Sequence, residues 1–320
     1  MNILQKTISP IDSWQRRHYY AAFPYAVVKK YGEDEAGYQA ALLTYYGFLS
    51  LFPLLLVLTT LVTILGGEND ALRRTVLSAT TDYFPVFGDQ LSNKIQAIDK
   101  SGGPLVVGII LTLYGARGVA DVFRTGVNHI WQTPRTKSDG FPIGLGKSFA
   151  IIFIGGFGFL LANITSAFAA EAGEGLVFRG LAILLNIFIL FWLFRILLNL
   201  SLAKSVPARS MRSGAITAAI GLVFLQIVGT KILTTQLESL DAVYSYFAVA
   251  LGLLFWLYLQ SQVIYYAVEV SSVRSLKLYP RGMQDFDLTS ADKRALGHQA
   301  EREQRVEDEK ITTKFEKTKK

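Results

Sequence analysis

The chain of 320 residues carries 32 Lys+Arg against 25 Asp+Glu, a net charge of +7, with 51% apolar residues. This apolar content excludes a wholly disordered chain, and the absence of cysteine excludes disulfides, thiolate metal sites and a Cys nucleophile. Residues 271–320 hold 12 basic and 9 acidic side chains, so what precedes them is far more apolar than the average and unlike an ordinary soluble enzyme.

Residues 1–35 mix Arg16, Arg17, Lys29 and Lys30 with Trp14, Tyr19, Tyr20, Phe23 and Tyr25. Two readings stand for them: a helix lying in the inner headgroup layer, or a loose polar lead-in. No RNA-binding motif accompanies these residues, so nucleic acid is not expected as a partner. Next comes 36–67, a run of 32 residues without a formal charge. A bilayer core needs about 20 residues of helix. This run begins too late and is too long for a signal peptide. Pro53 predicts a kink, which suits a stretch of about 48 Å in a core of roughly 30 Å. In the outer connection 68–101, Leu72, Val76 and Ala79, then Leu91, Ile95 and Ile98, recur at the spacing of amphipathic helices. Five further spans are expected at 102–121, 148–170, 181–202, 213–236 and 242–268. Their length and lack of alternation argue against strands.

The loops orient the spans. Arg124, Arg135, Lys137 and Lys147, then Lys204, Arg209 and Arg212, lie on one side; Arg179 is the basic residue in the opposite short loops. Basic loops stay cytoplasmic, which places both termini inside, as an even number of spans requires. The expected fold is an all-α polytopic membrane protein, a bundle of six transmembrane helices with amphipathic interfacial helices. Its parts are an N-terminal segment 1–35, a transmembrane domain 36–270 and a charged cytoplasmic tail 271–320. A solvated tail is the default, with a transient helix over 289–310 capped by Ser290 and a disordered end.

Three segments carry a family likeness. The first span reads Ala40-Ala-Leu-Leu-Thr-Tyr-Tyr-Gly-Phe-Leu-Ser50-Leu-Phe-Pro53-Leu. The second reads Tyr114-Gly-Ala-Arg117-Gly-Val-Ala-Asp121, followed by Asn128-His-Ile-Trp131. The last contains Tyr244-Ser-Tyr-Phe247, Trp256-Leu-Tyr258 and Glu269. Over about 25–275 the chain resembles the YihY/BrkB family of bacterial inner-membrane proteins, some once labelled ribonuclease BN. The sequence departs from the family pattern at Phe247, at Ala267-Val268 and at Phe194-Arg195-Ile-Leu-Leu. The resemblance implies an integral inner-membrane protein and leaves its activity open.

Polar residues within the spans are the candidate site. Gln39, Leu43, Tyr46, Ser50 and Pro53 share a stripe on the first helix, and Tyr114, Arg117, Asp121, Arg124 and Asn128 share a face of the second. Arg117 and Asp121 are four apart, and Asp121 and Arg124 three, so both pairs can close. Arg195, with Asn199 one turn on, reaches a similar depth, Glu269 ends the sixth helix there, and Gln39 begins the first. Arg117, Arg195, Asp121 and Glu269 are therefore expected to meet in a polar cluster at the cytoplasmic mouth. Two readings stand: charges that snorkel or pair structurally, or a pocket for an anionic headgroup or solute, because Arg forks match phosphate. Deeper, Asn163, Asn186 and Gln226 read as interhelical hydrogen-bonding groups and Lys231 as a snorkelling one. Gly155-Gly156-Phe157-Gly158 and 214–221 allow close helix approach.

An enzyme finds little support. His18, His129 and His298 are far apart, and there is no His-Glu-x-x-His, P-loop or Gly-x-Ser-x-Gly. No catalytic residue, metal or cofactor is expected. The favoured function is handling or transport of a lipid or other amphiphilic anion; the alternative is a scaffold for envelope partners. Membrane lipids are the expected partners, with envelope proteins or a homo-oligomer as further candidates.

Overall fold

The computed structural model describes residues 3–50, 102–137, 139–171, 176–203, 206–237, 245–284 and 287–316. Among them no strand occurs. The chain opens with α1 (Ile3–Arg17) and α2 (Tyr19–Glu33), separated at His18, whose extended backbone (φ −110°, ψ 113°) interrupts the helix. A turn with Glu35 at φ 52° redirects the chain into α3, helical over 36–50. The rest of the first predicted span, Pro53 and the connection 68–101 lie outside the described residues.

Five long helices follow: α4 (Gly102–Ile130), α5 (Ile143–Glu171), α6 (Leu176–Ser201), α7 (Met211–Leu237) and α8 (Ser245–Ser275). They match the predicted second to sixth spans in position and type. Val177–Ser201, Ala208–Gly229 and Ala250–Ser275 are long and apolar enough to cross a membrane, and Ile143–Phe159 is a shorter apolar stretch. The all-helical membrane fold is thus met, and three helices among the described residues have the length and hydropathy of a span, against the six expected over the whole chain. Two ends differ from expectation. α4 continues past Asp121 to Ile130, and α8 runs past Glu269 to Ser275. Charge alone does not stop a helix when tertiary partners neutralise it, as they do for Arg124 and Glu269.

Neighbours in sequence are neighbours in space: α5 packs on α6, α6 on α7, α7 on α8, and α4 touches α5, α6 and α8. α6 shows how apolar helices divide their surface. Leu190, Leu193, Phe194, Leu197 and Leu198 are buried, while Leu181, Leu184, Leu185, Phe188, Trp192 and Ile196 face outward. An apolar exterior of this kind suits lipid as solvent. Between such helices the hydrophobic effect supplies little drive, so close packing holds the bundle. Gly214 shows the cost of any larger residue: a Cβ there would stand 2.7 Å from the Ala267 carbonyl oxygen of α8. Gly158 of α5 likewise lies against Leu193, whereas Gly156 faces open space, so only part of the glycine run serves packing.

A second, smaller core lies where α2 meets the end of α8 and the following chain, around Ala26, Val27, Val273, Leu278 and Ala295. Here the tail departs from the solvated default. α9 (Ser290–Arg302) buries Ala291, Asp292 and Ala295. Its cap is Thr289, one residue before the expected Ser290: Thr289 Oγ1 accepts from the Asp292 N–H at 3.1 Å and Asp292 Oδ2 accepts from the Thr289 N–H at 2.9 Å. Both arms of a capping box are present, which Ser290 cannot provide from its position.

Candidate functional site

The expected four-charge cluster does not form as one unit. Its members divide among three places, and the division follows which cations are nearest in space.

The first is the α4 face. Arg117 Nε lies 3.3 Å from Asp121 Oδ2, and Arg124 Nη1 3.7 Å from Asp121 Oδ1, so both helical pairs close as spaced. Asp121 also accepts from Ser148 Oγ of α5 at 2.5 Å. Arg124 is tied further to Asp139 at 3.2 Å and to the Gly144 carbonyl at 2.7 Å, and Lys147 reaches Asp139 at 2.6 Å. The result is a ladder of alternating charge along α4 and the start of α5. Its inner rungs are well covered and its outer rung is open: the Arg117 side chain is 53% exposed. Because Arg117 uses Nε toward Asp121, its two terminal nitrogens have no partner among the described residues. α3 packs on another face of the same helix. The Tyr46 ring lies against Gly118 and Ser50 against Gly115, where a Cβ would stand 3.1 Å from Ser50 Cβ. Tyr114 is exposed one turn away. Arg117 and Asp121 thus pair along α4, while Tyr46 and Ser50 pack on its Gly115–Gly118 face.

The second place holds Glu269. It is fully buried, and its cation is Lys30 of α2, 3.0 Å from Oε2. Lys30 also donates to Asp34 and, at 2.6 Å, to the Ile130 carbonyl oxygen at the end of α4. One ammonium with three donors therefore ties together α2, α4 and α8. Burial alone lowers the Lys30 pKa, but Glu269 and Asp34 outweigh it and raise it. Asp34 is shared again: Gln132 Nε2 donates to Oδ1 at 2.7 Å and His129 Nε2 meets the Asp34 carbonyl oxygen at 2.8 Å. Burial and the neighbouring Arg302, whose Nη1 lies 3.1 Å from Nε2, lower the His129 pKa. Lys30 belongs to the basic and aromatic set of residues 1–35; Glu269 makes it and Asp34 the centre of a fully buried polar cluster. Their four-residue spacing was the available signal.

Arg195 stands apart at the third place, with Nη1 3.4 Å from the Ala208 carbonyl oxygen. Asn199 is exposed on the same helix and Gln39 is half-buried on α3. Neither Arg195 nor Glu269 joins the Arg117 ladder among the described residues. In the interior Asn186 is buried, and a small, mainly apolar cavity is lined by Phe159, Leu190, Gln226, Trp256 and Gln260 among others. Side chains of Asn163 and Lys231 lie outside the described set.

A third polar network, absent from the expected site, clamps the tail. Arg281 is 1% exposed; it donates through Nη2 to both Glu33 oxygens at 2.8 Å and through Nε to Asp292 at 2.5 Å. Lys29 adds a hydrogen bond to the Gly282 carbonyl at 2.7 Å. Burial works against the Asp292 carboxylate, yet hydrogen bonds from Arg281, the Gly282 N–H and Thr289 hold its pKa well below the usual range. Among the described residues no group of three His, Asp or Glu side chains could hold a metal ion.

No solved structure matches the chain. A curated relative, "Putative ribonuclease-like protein YfkH" of Bacillus subtilis (strain 168), is 24% identical over 262 residues, covering 76% of this chain and 92% of its own length. The family model described as virulence factor BrkB matches residues 27–286, a stretch that takes in α3 to α8, the Arg117 ladder and the buried Lys30 cluster. The chain belongs to the BrkB virulence factor family, an all-helical membrane protein by its fold.

Proposed function

We propose that this protein handles a lipid or similar amphiphilic anion at the membrane, with the outer rung of the α4 ladder as the headgroup site. The observation that carries this reading is the edge of Arg117 that has no partner among the described residues. Asp121 fixes Nε, Ser148 and Arg124 fix Asp121, and the two terminal nitrogens form a fork that fits a phosphate bidentately. The apolar helix exteriors offer a path for acyl chains. The rungs behind Arg117 hold Arg124 and Lys147 against Asp139, so the ladder as a whole keeps one positive charge in excess. Arg195, Glu269, Gln39 and Asn199 have no part in this site.

The membrane is the bacterial inner membrane and both termini are cytoplasmic, a placement supported by the excess of basic residues in the 122–147 and 203–212 connections. The name of the Bacillus relative describes that protein as ribonuclease-like; among the described residues no cluster of three His, Asp or Glu side chains could hold a metal ion for phosphodiester cleavage.

Vesicles of phosphatidylethanolamine and phosphatidylglycerol containing the purified protein and a fluorescent phosphatidylglycerol test this. Wild type binds or translocates the probe, Arg117→Ala loses most of the effect, and Arg117→Lys recovers it only partly because Lys cannot fork. Wild-type protein that neither binds nor moves the probe, or Arg117→Ala equal to wild type, removes the reading. A scaffold for envelope partners is the second reading, favoured by the ordered platform of α1, α2 and α9, whose polar clamps present a fixed surface.

A further inference from the structure

α1 is built with its polar flank inward. Asp12 and Gln15 are 5% and 2% exposed. Asp12 accepts from the Met283 N–H at 3.0 Å, and Gln15 donates to the Arg281 carbonyl at 2.5 Å. Arg16 extends the flank to Asp287 at 2.9 Å. The residues turned outward include the large apolar ones, Ile11 at 54% and Trp14 at 56% exposure. With roughly 100° between successive residues, Ile11 and Trp14 lie about 60° apart, Arg17 lies a further 60° or so on, and Ser13 points about 160° from Ile11.

A helix facing water would bury Ile11 and Trp14 and solvate Asp12 and Gln15, since apolar burial is what stabilises a soluble surface helix. The inversion implies that something other than water covers the outer side. Its chemistry is set by the residues present. Trp14, and Tyr19 and Tyr20 of α2, pair an apolar ring with a polar edge, the combination favoured at the headgroup–acyl boundary. Arg17 is exposed among them, placed for lipid phosphate. The exposed apolar stripe continues along the chain through Val28 to Tyr38, Leu42, Tyr45 and Leu49 of α3, the first spanning helix. The surface is thus continuous in sequence with one that meets lipid.

We propose that the face formed by Ile11, Trp14, Arg17, Tyr19 and Tyr20 docks on the bilayer itself, at the headgroup–acyl boundary of the leaflet on the side of the chain's termini. The platform that clamps the tail is then held flat on the lipid surface rather than projecting into the aqueous phase. This surface is independent of the Arg117 site and stands or falls separately from it.

Because the chain has no cysteine, single spin labels can be placed in the full chain by Ile11→Cys, Trp14→Cys and Ser13→Cys, at three exposed positions that leave the core intact. The protein is reconstituted in nanodiscs of phosphatidylethanolamine and phosphatidylglycerol, and each label's collisions with oxygen and with a water-soluble nickel chelate are compared. At positions 11 and 14 oxygen accessibility exceeds nickel accessibility severalfold, and at position 13 the order reverses. Nickel-accessible labels at 11 and 14 place the face in water and overturn the proposal. Labels at 11 and 14 shielded from both reagents place the face against protein, and overturn it equally.

Discussion

The Lys30 cluster and the Arg117 ladder use the same residue types at the same helical spacing, yet they are opposites. Lys30–Asp34 and Arg117–Asp121 are both four-residue pairs. In the first, the side chains are 3% and 0% exposed and all three ammonium protons have acceptors. In the second, the side chains are 53% and 42% exposed, and one guanidinium edge has no partner among the described residues. A charge whose donors are all used by the protein is architecture. A charge held in place with donors to spare is equipped to bind.

The largest effects should come from breaking the closed cluster. Lys30→Ala leaves Glu269 and Asp34 buried without their cation, and should cost on the order of 3–5 kcal/mol. Unfolding in detergent, followed by thermal shift, should show a large loss or no folded yield. The double variant Lys30→Met with Glu269→Leu should recover much of it, since two apolar groups leave one charge fewer stranded. If Lys30→Ala were as stable as wild type, the distinction between the two regions would fail.

Next is the tail clamp. Arg281→Ala removes hydrogen bonds to two carboxylates and should release α9, at about 2–3 kcal/mol of local docking energy. Hydrogen exchange over 287–302 should accelerate more than tenfold while α5 to α7 are unchanged.

Acid should act on the same clamp. Asp292 has a folded-state pKa below that of the unfolded chain, so its contribution is present above about pH 4 and lost as pH falls further. His129 adds a milder term. Its pKa is lowered in the folded state, so the neutral ring favours the fold and the advantage shrinks as pH falls below about 6.5. Exchange over 287–302 should therefore be flat above neutrality, rise slightly below pH ~6.5 and rise steeply below pH ~4. A clamp indifferent to acid would contradict the assigned bonds.

The smallest stability effect is expected at the open rung. Arg117→Ala should change stability by less than about 1 kcal/mol, because an exposed ion pair contributes little. Small loss of stability with large loss of lipid binding is the signature that separates a site from architecture.

Local spacing revealed some of this and hid the rest. The long helices follow from uncharged runs, and the Arg117–Asp121–Arg124 rungs from intervals of four and three. Lys30–Asp34 has the same interval, but its burial depends on Glu269, 239 positions away. Arg281 meets Glu33 across 248 positions. Nothing near Glu33-Asp34-Glu35 tells a solvated acidic turn from one facing buried cations, since burial is settled by how distant helices pack. Depth along a helix likewise placed Arg195 and Glu269 level with Arg117, but depth does not fix azimuth, and the three point to different neighbours. For the tail, Thr289 and Asp292 stand at capping-box spacing, and choosing Ser290 missed the carboxylate that makes the cap reciprocal.

If the outer edge of Arg117 holds an anionic lipid headgroup, an experimental structure in nanodiscs of native lipid shows it directly. Phosphate-sized density is expected within hydrogen-bonding distance of both terminal nitrogens of Arg117, and is lost in Arg117→Ala. Density for acyl chains alone along that edge, or an Arg117 side chain turned to a protein partner, would contradict it.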